Sequence, residues 1–351
     1  MPISDPFAFF IQLHITERCN LRCSHCYQDG DRSGEMTLVE ITSIADEVSE
    51  MITAWEEAYA VPFESSFTVT GGEPFLRNDF SAILDALRRR GFDTYILTNG
   101  TLISRERARE LADLGVRGVQ ISLEGPEQIH DSIRGAGSFS ASMNGIQNIV
   151  SSGIELTLNT TLSEINAPYF MEMISLASDL GAQKLGFSRL VPSGGGKRLI
   201  SRMLSSTAVE DLYRNIFSPD TGNSTGDLKI VTGDPVASQY RSPDQAASGS
   251  SVPSGGCAAG VSGLTILPDG TVTPCRRLPI PIGNVRTDSL RQIWTSSAVL
   301  SSLRDKTLYQ GKCGDCKRWA SCRGCRAIAF AVAGTGGIDA CLAEDPQCFL
   351  A

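Results

Sequence analysis

Three thiols, Cys19, Cys23 and Cys26, fall within eight residues near the start of the chain. They follow the apolar run Phe7 to Ile15, which reads as a strand ending in a loop. A loop of this length can wrap so that all three sulfurs face one point, and three thiolates leave one position of a four-iron cluster unfilled. An iron left unfilled at a strand end invites a substrate or cofactor to bind, whereas a structural metal site is closed by a fourth protein ligand. Zinc held by these cysteines together with His25 is the competing, structural reading.

A second cysteine field lies near the end of the chain, at Cys257, Cys275, Cys313, Cys316, Cys322, Cys325, Cys341 and Cys348. Eight thiols in fewer than 100 residues are too many for one zinc ion; they suit two four-iron clusters, or a pair of four-cysteine zinc sites. The opening residues lack the basic-then-apolar pattern of a signal peptide, so the cytoplasm is the expected location and metal a better use for 11 cysteines than disulfides. Only His14, His25 and His130 are present, so any metal is expected to be held mainly by sulfur.

Between the two fields the chain alternates short apolar runs with helical patterns. Strands are expected at 67–70, 94–98, 118–123, 155–160 and 184–188. One-sided helices are expected at 35–58, 80–90, 105–114, 140–151 and 168–180. Short connectors between strand and helix predict a parallel sheet covered by helices, an α/β fold that six units shape into an open, partial (β/α)6 TIM-like barrel. Ligands sit at the carboxyl ends of such strands. There the sequence sets Gly71-Gly72-Glu73-Pro74, Thr98-Asn99-Gly100 and Ser122-Leu123-Glu124-Gly125. Two glycines leave backbone open to close approach by a ligand, and an acidic side chain can take an ammonium.

With 351 residues and 41% apolar content, the chain can bury a core for one large domain and a smaller one. A net charge of −8 without a long basic run predicts no nucleic-acid or anionic-membrane partner, and no apolar run reaches membrane-spanning length. Residues 218–256 are dominated by Ser, Gly, Pro, Asp and Ala and are expected to form a mobile connector, with some structure near Leu228 to Val231. Leu264 to Ile266 and Thr271 to Thr273 flank a Pro-Asp-Gly turn and predict a hairpin.

Cys-x3-Cys-x2-Cys after a first strand, with Tyr27 directly behind it and a Gly-Gly-Glu-Pro turn after the second strand, resembles the radical S-adenosylmethionine (SAM) enzymes. The later field resembles the SPASM extension of many such enzymes, through Gly270 to Cys275 and Cys313-x2-Cys316-x5-Cys322. It departs from that pattern at Cys322-x2-Cys325, where relatives have three intervening residues, and in having no further cysteine between Cys257 and Cys275. The resemblance implies three parts: a radical SAM core at 1–195, a flexible linker at 196–256 and a SPASM domain at 257–351. It implies a [4Fe-4S] cluster on Cys19, Cys23 and Cys26 that binds SAM and cleaves it reductively to a 5′-deoxyadenosyl radical. SAM contacts implied by motif position are Tyr27, Gly71, Gly72, Glu73, Asn99, Ser122, Glu124, Arg134, Asn159 and Leu190. Two auxiliary [4Fe-4S] clusters are implied, one drawing on Cys257, Cys275 and Cys325, with Cys341 completing it or its fourth position left open, and the other on Cys313, Cys316, Cys322 and Cys348.

Enzymes with this extension most often modify ribosomally made peptides, so a thioether or carbon–carbon crosslink in a peptide or protein substrate is the first expectation. Few residues precede the first strand, which calls for a separate recognition protein or for binding through the barrel mouth. Oxidative or decarboxylative change to tetrapyrrole side chains is the alternative, since Leu342 to Cys348 resembles the chain end of haem-pathway members as well as peptide maturases. The electron donor is expected to be of flavodoxin or ferredoxin type. A non-enzymatic iron–sulfur electron-transfer or sensor protein is the third reading; it predicts clusters but no SAM turnover.

Overall fold

β1 (Phe7–His14) sits at the centre of the fold, because its two faces meet different surroundings. Phe9, Ile11 and Leu13 are buried, and Phe9 meets Trp55 and Trp294 edge-on at ring distances of 5.2 and 5.1 Å. The intervening residues face the barrel interior, where Gln12 meets Thr265. Ala8, Phe10, Gln12 and His14 alternate with Phe9, Ile11 and Leu13 on the other face, the period-two geometry of a strand, with His14 fully buried.

The computed structural model describes residues 6–28, 34–218, 221, 226–240, 250–334 and 336–350. Among them β1 pairs in parallel with β2 (Phe63–Thr70), setting Ile11 opposite Phe67 and His14 opposite Thr70. The sheet continues through β3 (Asp93–Thr98), β4 (Gly118–Ser122), β5 (Glu155–Leu162) and β6 (Lys184–Arg189), every step parallel. Helices α1 (Leu38–Tyr59), α2 (Phe80–Arg88), α3 (Arg105–Asp113), α4 (Glu127–Arg134), α5 (Ser138–Ser152) and α6 (Phe170–Asp179) lie between successive strands, α4 and α5 both between β4 and β5. α1 begins at a capping box, in which the Thr37 side chain accepts from the Glu40 N–H and the Glu40 carboxylate accepts from the Thr37 N–H. Its buried residues Ile41, Ile44, Ala45, Val48, Met51, Ile52 and Trp55 fall at three- and four-residue steps, one stripe facing the sheet.

The six expected strands are present, and later chain extends the sheet at both edges. β7 (Lys229–Thr232) adds in parallel beside β6, and α7 (Ser206–Ile216) precedes it. The stretch 196–256, expected to be a flexible linker, therefore carries folded elements; of it, 219–220, 222–225 and 241–249 lie outside the described residues. β7 falls at the structure expected near Leu228 to Val231, and it is ordered by pairing with a buried strand remote in sequence. At the other edge β8 (Gly263–Ile266) pairs in parallel with β1. β9 (Thr271–Thr273) and β10 (Gly283–Asn284) follow antiparallel, so the cysteine-rich region continues the barrel sheet.

α4 is a second difference. It lies outside the helices expected from the sequence, and Arg134 is its last residue. The signals were Pro126 just before the helix, Glu127 in its first turn and the buried pair His130 and Ile133.

Candidate active site

The cysteine loop leaves β1 and is held from two sides by glycine turns. Gly72 N–H donates to the Thr16 carbonyl at 2.7 Å and Glu73 N–H to the Arg18 carbonyl at 2.8 Å. An added Cβ on Gly71 would lie 2.5 Å from the Thr16 oxygen, and one on Gly72 would lie 2.3 Å from the Arg18 oxygen. No side chain fits between these backbones, and glycine is the residue that allows such an approach. On the opposite side Gly196 N–H donates to the Cys26 carbonyl at 2.8 Å, and a Cβ on Gly194 would meet the Tyr27 oxygen at 2.3 Å. The close approach of Gly194 and Gly196 to Cys26 and Tyr27 is legible only in three dimensions.

The loop so held turns all three thiols into one cavity of about 670 Å³, within the usual range of about 300–1,000 Å³ for small-molecule sites. The thiols are close enough for their charges to interact, and burial pushes Cys23 up to about 11 and also raises Cys19. Thiols held neutral by burial become thiolates when a cation coordinates them. His25, the fourth ligand that zinc would need, is bonded through Nε2 to Glu124 at 2.9 Å and keeps a buried, unpartnered Nδ1. Among the described residues no three His, Cys, Asp or Glu side chains converge on a single metal ion. A four-iron cluster makes no such demand, because each cysteine binds a different iron at a corner of a cube. The donor set therefore fits an incompletely ligated iron–sulfur cluster.

Of the other sequence candidates, Tyr27, Gly71, Gly72, Asn99, Ser122, Arg134 and Asn159 line this cavity. The polar faces of β4, β5 and β6 supply Gln120 and Ser122, Asn159 and Thr161, and Ser188 to its wall. Gly186 on β6 leaves room for Asn159, whose Oδ1 lies 2.8 Å from where a Cβ would stand. Asn99 Nδ2 donates to Asn20 Oδ1 at 2.9 Å and lies 3.9 Å from Cys19 Sγ, tying the end of β3 to the cysteine loop. Burial and then the Arg276 charge set the Tyr27 phenol, pushed up to about 12.

Three candidates do not line the cavity. Glu73 is fully buried and accepts from Thr98 Oγ1 at 2.8 Å and the Asn99 N–H at 2.9 Å, so its side chain joins two strand ends. Burial, outweighing those donors, pushes its carboxyl up to about 7. Glu124 is also fully buried and accepts from Arg134 Nη2 at 2.5 Å, His25 and the Thr161 N–H at 2.8 Å. Burial would raise its carboxyl, but Arg134 and His25 hold it below the usual carboxylate range. Arg134, paired this way, brings Nη1 to 3.8 Å from Cys23 Sγ. Leu190 is 1% exposed and packs in the core, while its neighbour Val191 reaches the cavity.

Several of the later cysteines lie close enough for their charges to interact, and the Cys257 N–H donates to the Cys322 carbonyl at 3.1 Å, so the two implied ligand sets adjoin. Cys313 interacts with the charges of Cys348 and Cys322. Cys257 does so with those of Cys325 and Cys341, and Arg277 lies between Cys325 and Cys275. A buried ion cluster joins this region to the barrel. Arg189 at the end of β6 pairs with Asp234 at 2.5 Å and with Asp345 at 2.7 Å, and Tyr213 donates to Asp234 at 2.6 Å. Asp345 also accepts from the Cys325 N–H at 2.7 Å, so the charge network ends on a candidate cluster ligand. Sequence reasoning missed Arg189, Asp234 and Asp345, whose partners lie 45 and 156 residues away from Arg189.

Comparison with known proteins agrees with this geometry. Residues 13–177 match the family model of the radical SAM superfamily, and residues 257–326 match SPASM, an iron–sulfur cluster-binding domain. An AdoMet-dependent heme synthase of Methanosarcina barkeri is 30% identical over 354 residues, covering 96% of this chain and 95% of the relative. The chain belongs to the radical SAM superfamily. As a radical SAM/SPASM enzyme it uses AdoMet (SAM), a [4Fe-4S] cluster and auxiliary iron–sulfur clusters. The mycofactocin maturase MftC of Mycobacterium tuberculosis is 30% identical over 328 residues, covering 90% of this chain and 78% of the relative. Among solved structures, Streptococcus suis SuiB bound to S-adenosylmethionine superposes with a TM-score of 0.76 at 16% identity, over 98% of this chain and 78% of that one. At that identity the likeness establishes the fold alone. Among the described residues no helix is long and apolar enough to cross a membrane.

Proposed function

We propose that this radical SAM/SPASM enzyme modifies side chains of a tetrapyrrole by hydrogen abstraction in the barrel cavity. The observation that carries the radical step is the seating of three thiols and the di-glycine turn against one another on the same cavity. Cys19, Cys23 and Cys26 would hold a [4Fe-4S] cluster, which when bound would supply the electron for reductive cleavage of SAM. In this reading the backbone of Gly71 and Gly72 receives the methionine ammonium, and Arg134 faces its carboxylate. Asn99, Ser122 and Asn159 serve the ribose, and Tyr27 lies beside the adenine. Glu124 and His25 hold Arg134 and the cysteine loop in position. Cys257, Cys275, Cys325 and Cys341 would hold one auxiliary cluster, and Cys313, Cys316, Cys322 and Cys348 the other. An electron donor of flavodoxin or ferredoxin type would feed the first cluster.

The tetrapyrrole reading is supported by the heme synthases, which align along nearly the full length of both chains, and by the arginines on the cavity wall. Peptide modification is the second reading, favoured by the 30% identity to MftC. Anaerobically reconstituted protein is expected to hold about 12 irons per chain as three four-iron clusters. Given reductant and SAM it should release 5′-deoxyadenosine. Mass spectrometry of products from a tetrapyrrole and from a candidate precursor peptide then separates the two readings. Zinc in place of iron would refute both.

A further inference from the structure

Arg276 and Arg277 follow Cys275 and occupy the two central positions of a tight turn, closed by the Leu278 N–H donating to the Cys275 carbonyl at 2.9 Å. Both line the cavity, although each is only half-buried by area. Neither makes an ion pair or hydrogen bond with a carboxylate among the described residues, although the Asp234 charge reaches Arg277 after those of Cys325 and Cys275. Arg276 makes a cation–π contact with Tyr27 at 5.7 Å, and burial pushes its guanidinium down from its ordinary value. Arg277 has one long contact to the Arg189 carbonyl at 3.4 Å, and its buried Nε has no partner. The other deeply placed arginines of the barrel are matched: Arg134 by Glu124, Arg189 by Asp234 and Asp345, and Arg77 by Asp79. Among the described residues, then, two adjacent cations face the cavity without a carboxylate ion pair, Arg276 with only a ring beside it and Arg277 with the Cys325, Cys275 and Asp234 charges nearby.

We propose that Arg276 and Arg277 form a carboxylate-binding subsite that takes acidic side arms of a small polycarboxylate substrate. Guanidinium groups suit this task because their planar donors meet a carboxylate two at a time. The turn carries both arginines on one wall, so neighbouring acidic arms of one molecule can be held together. Arg276 lies over Tyr27 beside the cysteine loop, so arms anchored there would bring the rest of the molecule to the thiols. The inference rests on the radical reading and narrows its substrate to one that carries several carboxylates, such as a tetrapyrrole with propionate arms.

The test uses equilibrium dialysis of the anaerobic holoenzyme, with SAM present, against coproporphyrin III and against its tetra-amide, which has the same ring and no charge. The acid is expected to bind at least about tenfold more tightly than the amide. Arg276→Gln and Arg277→Gln are each expected to weaken the acid by about tenfold, in line with the loss of a charge-assisted contact, while leaving the amide unaffected. No binding of the acid, equal binding of acid and amide, or variants that bind the acid as the wild type does would each overturn the proposal. Variants that lose iron would assign the pair to the auxiliary cysteines, and variants that lose SAM affinity would assign it to SAM; either result overturns it too. The acid-against-amide comparison needs no variant and stands if a variant fails to fold. 5′-Deoxyadenosine release is measured on the same wild-type preparation. Its absence refutes the radical reading, while its presence without a preference for the acid refutes the subsite alone.

Discussion

Replacing Gly72 with alanine should disable the cysteine loop without removing a single metal ligand. The added Cβ would lie 2.3 Å from the Arg18 oxygen and 2.6 Å from the Glu17 oxygen, where ordinary contact begins at 3.4 Å. The backbones must therefore part by about 1 Å, and both are pinned: Gly72 N–H to Thr16 at 2.7 Å and Glu73 N–H to Arg18 at 2.8 Å. Overpacking of this kind costs about 1–3 kcal/mol of stability. A shift of about 1 Å at reacting groups can cost about 100-fold in rate. The assay is 5′-deoxyadenosine release from SAM under excess reductant, with iron content and circular dichroism as measures of loading and fold. A fall of about 100-fold in release with the fold retained is expected. Gly91→Ala is the control. Its φ is +80° and nothing lies within 4 Å of its Cβ, so it should cost about 1 kcal/mol of backbone strain and keep the rate. Gly72→Ala at the wild-type rate, or an equal fall in both variants, would refute the view that the close approach of these backbones positions the loop.

Replacing Cys19, Cys23 or Cys26 by alanine should abolish SAM cleavage, whereas Cys313→Ala or Cys316→Ala should keep slow, uncoupled release; equal loss from both sets would mean that the second field only supports the fold. Arg189→Met leaves Asp234 and Asp345 buried without their cation and should destabilise the protein by about 3–5 kcal/mol, read as a lower urea midpoint. An unchanged midpoint would show that the two carboxylates do not depend on it. Glu124 has its carboxyl held low in the folded chain, so the stability it contributes is present above about pH 4.5 and is lost as the pH falls. The gap in unfolding free energy between wild type and Glu124→Gln should accordingly shrink from pH 7 towards pH 3; a gap independent of pH would contradict the ion pairing with Arg134.

The hydrophobic periods of the chain determined the alternation of strands and helices. β1 to β6 fall where the apolar runs placed them, because period two and period 3.6 are local properties of the backbone. Cysteine spacing likewise announced two iron–sulfur regions, since three thiols on one short loop can reach one cluster whatever surrounds them. Local pattern could not say that residues 229–232 pair with β6, or that β8 lies beside β1, because those partners are remote in sequence. The same limit applies to the site. A glutamate at a strand end reads as a ligand for an ammonium, yet burial turned Glu73 and Glu124 into ties between neighbouring segments. Arg276 and Arg277 read as ordinary residues behind a cysteine until folding set them on the cavity wall, where no carboxylate of the described residues forms an ion pair with them. Residue type and spacing fixed which chemistry the chain carries; which charges are neutralised internally, and which remain for a ligand, depended on distances that only the packed structure sets.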